Sequence, residues 1–205
     1  MVMTAKVDMK KVIAALVAVA GVIIALILLL GGNGSSAPTA APSVAGSSEY
    51  MVCEACEFSD TFLKLFPDIS VILNIDRDHM DYFKTMENLM ASFRKFAEKA
   101  SRMVIYNGDD ENTLDSVKDV ELEKITFGFG ESCDYRAVNV SADKGVHEQF
   151  DLLYKGEKIT EVKLIVPGKH NIYNALAAAT CAMELGAEPS TVAKGLGLLK
   201  NVRGR

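Results

Sequence analysis

The sequence predicts an α/β fold: a mostly parallel β-sheet flanked by helices, with an antiparallel extension, preceded by an apolar N-terminal helix. Three observations lead there. Short apolar runs end in polar turns, as strands buried on both faces do. An amphipathic stretch joins two of these runs, so the pair is parallel. Beyond them, the section from Lys124 to Val166 alternates short strand-like runs with Gly, Asp and Lys turns, which suits antiparallel pairing.

Taken in order, Tyr50 to Glu54, Ile69 to Ile75 and Met103 to Tyr106 read as the buried parallel strands. Between the last two, Met86, Leu89, Met90, Phe93, Phe96 and Ala97 recur at helical intervals behind Thr85, which predicts a crossover helix with a threonine N-cap. The antiparallel strands fall at Ile125 to Phe129, Tyr135 to Val140, Phe150 to Tyr154 and Val162 to Val166. A helix then runs from about Asn171 to Leu185 and stops at Gly186, and another from about Ser190 to Leu199.

The chain has 205 residues, 49% of them hydrophobic, enough for one ordinary domain. Its formal charge is −5, and setting aside the basic N-terminal segment leaves about −7 on the rest. That balance argues against a nucleic-acid surface.

The N-terminus predicts four segments: a basic stretch over 1–11, an apolar helix over 12–30, a Gly/Ser/Ala/Pro linker over 31–47, and a domain over 48–205. Val12 to Leu30 carries no charge and is broken only by Gly21. As a helix it reaches about 28 Å, close to the hydrocarbon thickness of a bilayer. Lysines precede it and none follows before Lys64, which predicts a single-pass membrane protein with its N-terminus in the cytoplasm. The linker cannot bury a core and reads as a flexible tether.

Four cysteines include one close pair, Cys53 and Cys56, without the second pair or spaced histidines that a zinc site needs. They read as ordinary strand cysteines.

Three stretches carry chemistry. Glu54 closes the first strand, where a carboxylate can hold a hard cation in the crevice of an open sheet; the bland alternative is a solvated strand end. His79 follows the second strand between Asp78 and Asp81, so a carboxylate can fix its tautomer. Gly168 precedes His170, Asn171 and Asn174 at a helix start, where backbone N–H groups favour an anion and the two amides share a face. Asn171 also fits a simple helix cap.

Together, Glu54-Ala55-Cys56-Glu57, Asn74 to Tyr82 and Gly168 to Leu176 resemble the central, ATP-handling domain of the Mur ligases, over roughly residues 48 to 205. The resemblance implies ATP and Mg2+ as cofactors, with Glu54 and His79 as metal ligands. It places His170, Asn171 and Asn174 around the adenine nucleotide and Arg205 near its terminal phosphate. In a complete relative, ATP activates a carboxylate as an acyl phosphate, which an amino group attacks. Phe93 stands where several family members carry a modified lysine, which points to the branch that adds L-alanine to UDP-N-acetylmuramate in peptidoglycan synthesis. The family's phosphate-loop signature G-x-x-x-x-G-K-[ST] does not occur. Val17 to Gly21 resembles the strand leading into that loop, and Val22 to Ala25 follows in its place.

The resemblance implies a domain that is inactive by itself, whose sugar-nucleotide partner would be met only with the flanking domains. It also implies a cytoplasmic location, against the membrane helix read at 12–30. Two other readings stay open: a membrane-tethered, non-catalytic binding or scaffold module, and an exported domain built around a Cys53–Cys56 disulfide.

Overall fold

The computed structural model describes residues 11–15, 43–44, 50–143 and 147–198, and of 11–15, 43–44, 143 and 147 the backbone alone. Nine strands form one sheet: β1 Lys11–Ala15, β2 Ser43–Val44, β3 Tyr50–Glu54, β4 Ile69–Ile72, β5 Met103–Asn107, β6 Glu123–Gly128, β7 Tyr135–Asp143, β8 His147–Tyr154 and β9 Glu157–Leu164. Their order across the sheet is β2-β3-β1-β4-β5-β6-β7-β8-β9. From β3 to β7 neighbours are parallel, while β2 and the hairpins β7–β8 and β8–β9 are antiparallel. A 3-10 segment, Phe58–Lys64, follows β3. The helices are α1 Met80–Phe83, α2 Met86–Glu98, α3 Glu111–Val117, α4 Lys169–Glu184 and α5 Pro189–Leu196.

The N-terminal segment departs from expectation. Lys11–Ala15 is a strand inside the sheet, with Ile13 in register with Val52 on one side and Ile69 on the other. A residue whose backbone pairs sideways with two strands cannot belong to a spanning helix, whose hydrogen bonds are all internal. Among the described residues no helix is long and apolar enough to cross a membrane. The transmembrane helix over 12–30, the membrane as partner and the single-pass placement are therefore withdrawn. The expected strand at Val17 to Gly21 lies outside the described residues.

The central strands are buried on both faces, which explains their unbroken apolar runs. Ile69, Val71, Met103 and Ile105 face a core completed by α4 and α5, while Ile72, Val104 and Tyr106 face α2, α3 and the 3-10 segment. Helix α4 buries Ile172 and Leu176 together with a run of small residues, Ala175 and Ala177 to Ala179, in this core. Thr85 caps α2 as expected, its hydroxyl accepting from the Asn88 N–H at 3.3 Å. Gly186 ends α4 at φ +89°, a conformation that glycine adopts without strain.

All four cysteines are free thiols, so the Cys53–Cys56 pair forms no disulfide. Burial, helped by the Asp109 charge and hydrogen bond, pushes the Cys133 thiol from 9.0 up to about 11. Two consequences are expected. Iodoacetamide at mild alkaline pH should modify exposed Cys56 and spare Cys133 and Cys181, read by peptide mass mapping. Because the folded state holds the Cys133 proton more tightly, its stabilising contribution is complete below pH 9.0 and is lost as pH rises through about 11. A urea midpoint that does not fall across that range would contradict the assignment.

Candidate nucleotide and metal site

Strand β1 has β3 on one side and β4 on the other, so the chain reverses its direction of travel across the sheet here. Open α/β sheets bind ligands in the crevice beyond the carboxyl ends of the strands at such a point. The parallel strands β3, β4, β5 and β6 deliver Glu54, Asn74, Asp109 and Gly128 to that same edge.

One group gathers beyond β3 and β4. Ligand atoms of Glu57, Asp78 and His79 lie within 4.8 Å of one another, the group among the described residues that could share a metal ion. His79 Nε2 stands 3.7 Å from Glu57 Oε1, and Nδ1 stands 3.7 Å from Asp78 Oδ1. Phe58 packs on the imidazole with ring centroids 4.8 Å apart. Glu54, expected to hold metal, closes β3 half-buried and is not one of the three.

The backbone around this group is strained. Ser59, Asp60 and His79 have φ of +54°, +56° and +51°, a left-handed region unfavourable for residues with a Cβ. Side-chain bonds offset the cost: Asp60 accepts from Tyr82 Oη at 2.8 Å and from Ser92 Oγ. The loop after β4 is held in turn by α3, since Ile75 N donates to Asp110 Oδ1 at 3.2 Å and Asn112 Nδ2 donates to Ile75 O at 2.9 Å. Strain of this kind gathers where geometry matters to function.

A second group forms at the start of α4. Gly168 takes φ +108°, and a Cβ there would meet the His170 ring at 2.7 Å, so glycine is required. Gly168 N donates to Glu148 Oε1 at 3.1 Å. Asn171 Nδ2 donates back to Pro167 O at 2.7 Å, which engages one side of its amide in bracing the turn. Asn174 and exposed His170 make no side-chain hydrogen bond among the described residues and remain available to a ligand. Arg205 lies outside the described residues.

The group that sequence reasoning missed is centred on Asp109. Its carboxylate accepts from Phe129 N at 2.6 Å, Gly130 N at 2.9 Å and Tyr173 Oη at 3.0 Å. Burial, and then this bond to Asp109, raise the Tyr173 phenol above its ordinary range. The sequence signal was Gly128, which closes β6, with Gly130 two residues on; both leave the carboxylate room.

The fold defines the chain as an α/β domain with helices on both faces of one mostly parallel sheet. Residues 31–182 match the Mur ligase middle domain, and the chain belongs to that family. It is 44% identical over 145 residues to the UDP-N-acetylmuramate–L-alanine ligase of Caldanaerobacter subterraneus subsp. tengcongensis, covering 70% of this chain and 32% of that protein. It is 42% identical over 175 residues to the enzyme of the same name from Caldicellulosiruptor bescii, covering 84% of this chain and 36% of that protein. The chain thus spans about a third of the length of these relatives. The crystal structure of UDP-N-acetylmuramate:L-alanyl-gamma-D-glutamyl-meso-diaminopimelate ligase from Neisseria meningitides superposes with a TM-score of 0.76. That match covers 96% of this chain and 67% of the other at 24% identity, and so speaks for the fold.

Proposed function

We propose that this chain is the nucleotide-handling domain of an amide-forming ligase that joins L-alanine to UDP-N-acetylmuramate using ATP and Mg2+. The observation that carries the reading is that the Glu57–Asp78–His79 group and the start of α4 both stand at the carboxyl edge of the parallel sheet. The 44% identity to a ligase of that name supports the substrate class.

In this reading Glu57, Asp78 and His79 hold the cation, with Glu54 contributing from the end of β3. Carboxylate oxygens suit Mg2+, which keeps several waters and binds through one or two carboxylates together with phosphate oxygens. When bound, the ion neutralises charge on the phosphates. Asn174 offers a donor and an acceptor to the adenine edge, His170 a ring to pack on it, Asn171 its carbonyl, and Arg205 a guanidinium to the terminal phosphate. The sequence holds no phosphate-loop lysine, so the chain acts as a nucleotide-binding module rather than as a complete catalyst.

The test is nucleotide affinity by calorimetry on the purified chain, with and without Mg2+. Binding of adenosine diphosphate should need the ion. Asn174→Ala should weaken it about tenfold, the size of a lost hydrogen-bond pair in a half-buried site. His79→Ala should abolish the dependence on the ion, and Lys95→Ala, on the exposed face of α2, should change nothing. Equal losses at Asn174 and Lys95 would point to nonspecific electrostatics and reject the site.

A further inference from the structure

The Asp109 carboxylate joins three elements that are far apart in sequence. It follows β5, its oxygens take the N–H groups of Phe129 and Gly130 just after β6, and it accepts the Tyr173 hydroxyl from the second turn of α4. Asp109 N in turn donates to the buried Asn107 side chain at 2.9 Å. The surroundings are shaped to this carboxylate: a Cβ on Gly128 or Gly130 would lie 2.6 or 2.7 Å from its oxygens. Successive backbone N–H groups aimed at one point make an anion-binding concavity, and here the protein fills it with its own side chain.

The consequence falls on the nucleotide end of the crevice. Tyr173 packs edge-to-face on Phe129 with centroids 4.9 Å apart, and Lys169 Nζ lies 5.0 Å from the Phe129 centroid and 5.8 Å from that of Tyr173. Lys169 and Tyr173 are four residues apart on one face of α4, and His170 and Asn174 are their immediate neighbours in the chain. Fixing Tyr173 therefore fixes the rotation of the turn that carries His170 and Asn174.

We propose that Asp109 is a positioning residue for nucleotide binding: it ties the end of β6 to the N-terminal part of α4 and so sets the geometry of the wall that meets the base. The assignment rests on the nucleotide reading above. Asp109 is exposed, so its bonds add little to global stability, and its effect is local.

The experiment compares wild type with Asp109→Asn and Tyr173→Phe in three measurements: adenosine diphosphate affinity with Mg2+, Mn2+ affinity by electron paramagnetic resonance, and amide exchange of Phe129 and Gly130 by NMR. Asp109→Asn should lose exchange protection at both amides and weaken nucleotide binding about tenfold, as when a charged acceptor leaves its donors. Tyr173→Phe should keep that protection and still weaken nucleotide binding, by about fivefold, because only the link to α4 is cut. Mn2+ affinity should stay within about twofold in both, since the Glu57–Asp78–His79 group is held by other contacts. A variant series that binds nucleotide like wild type overturns the assignment while leaving the nucleotide site intact. Loss of Mn2+ and nucleotide binding together shows a general structural defect and overturns it too. Wild type that binds no nucleotide overturns the site reading and, with it, this role, even if exchange confirms the bonds.

Discussion

Removing residues 1–47 is expected to leave an insoluble chain. Strand β1 sits between β3 and β4, with five residues in register with β3 and three in register with β4. Its loss separates two parallel strands, exposes both edges and uncovers apolar side chains on each face, a template for aggregation. A gentler version is Ile13→Pro. Ile13 is aligned with Val52 and Ile69 at once, and proline removes its N–H from the ladder in the one kind of strand where proline is not tolerated. The expected loss is at least about 3 kcal/mol, out of the roughly 5 to 15 kcal/mol that holds a domain together. Light scattering and urea unfolding check both. A soluble, monomeric chain 48–205 with an unchanged urea midpoint would mean that β1 contributes nothing to the sheet.

The second large effect is expected at Phe62. This residue is fully buried, stacks on Phe96 with centroids 4.8 Å apart and meets Phe93 edge-on at 5.2 Å. It is the anchor of the 3-10 segment that follows Glu57, and its N–H donates to Cys56 O at 2.9 Å. Phe62→Ala should cost about 3 to 5 kcal/mol, the transfer term plus a cavity that α2 cannot close. In a chain of this size each kcal/mol lowers Tm by roughly 2 to 4 °C, so calorimetry should record a drop on the order of 10 °C. The same change frees the segment that places Glu57 against His79, so Mn2+ affinity should fall as well. A variant with native Tm would show that the strained turn at Ser59 and Asp60 is held without this anchor.

Much of the fold was legible because its patterns are local. Tyr50–Glu54 was read with its observed bounds, and Met86 to Ala97 showed its helical period and its Thr85 cap. The strand at β1 was misread because an uncharged apolar run is the signature both of a span and of a strand buried on two faces, and length arbitrates poorly between them. Helix α3 was missed because its seven residues, capped by Asp110, offer too few apolar positions to set a period. In the candidate site His79 stood out because its carboxylate neighbours are adjacent in sequence. Asp109 did not, since its partners Phe129 and Tyr173 lie 20 and 64 residues away. Glu57, in the same motif as Glu54, was not singled out as a ligand, because spacing along a chain does not reveal which carboxylate a turn will swing towards the imidazole.

The position of β1 also bears on how the chain reaches its native state. Its nearest partner begins at Tyr50 and its other partner at Ile69, so this interior strand is made long before either neighbour exists. The three-stranded meander β7-β8-β9 needs only adjacent hairpins. Local pairing of that kind forms quickly, whereas parallel pairing across long connections waits on loop closure. The antiparallel end is thus expected to order before the parallel pairing of β1 with β3 and β4 is complete.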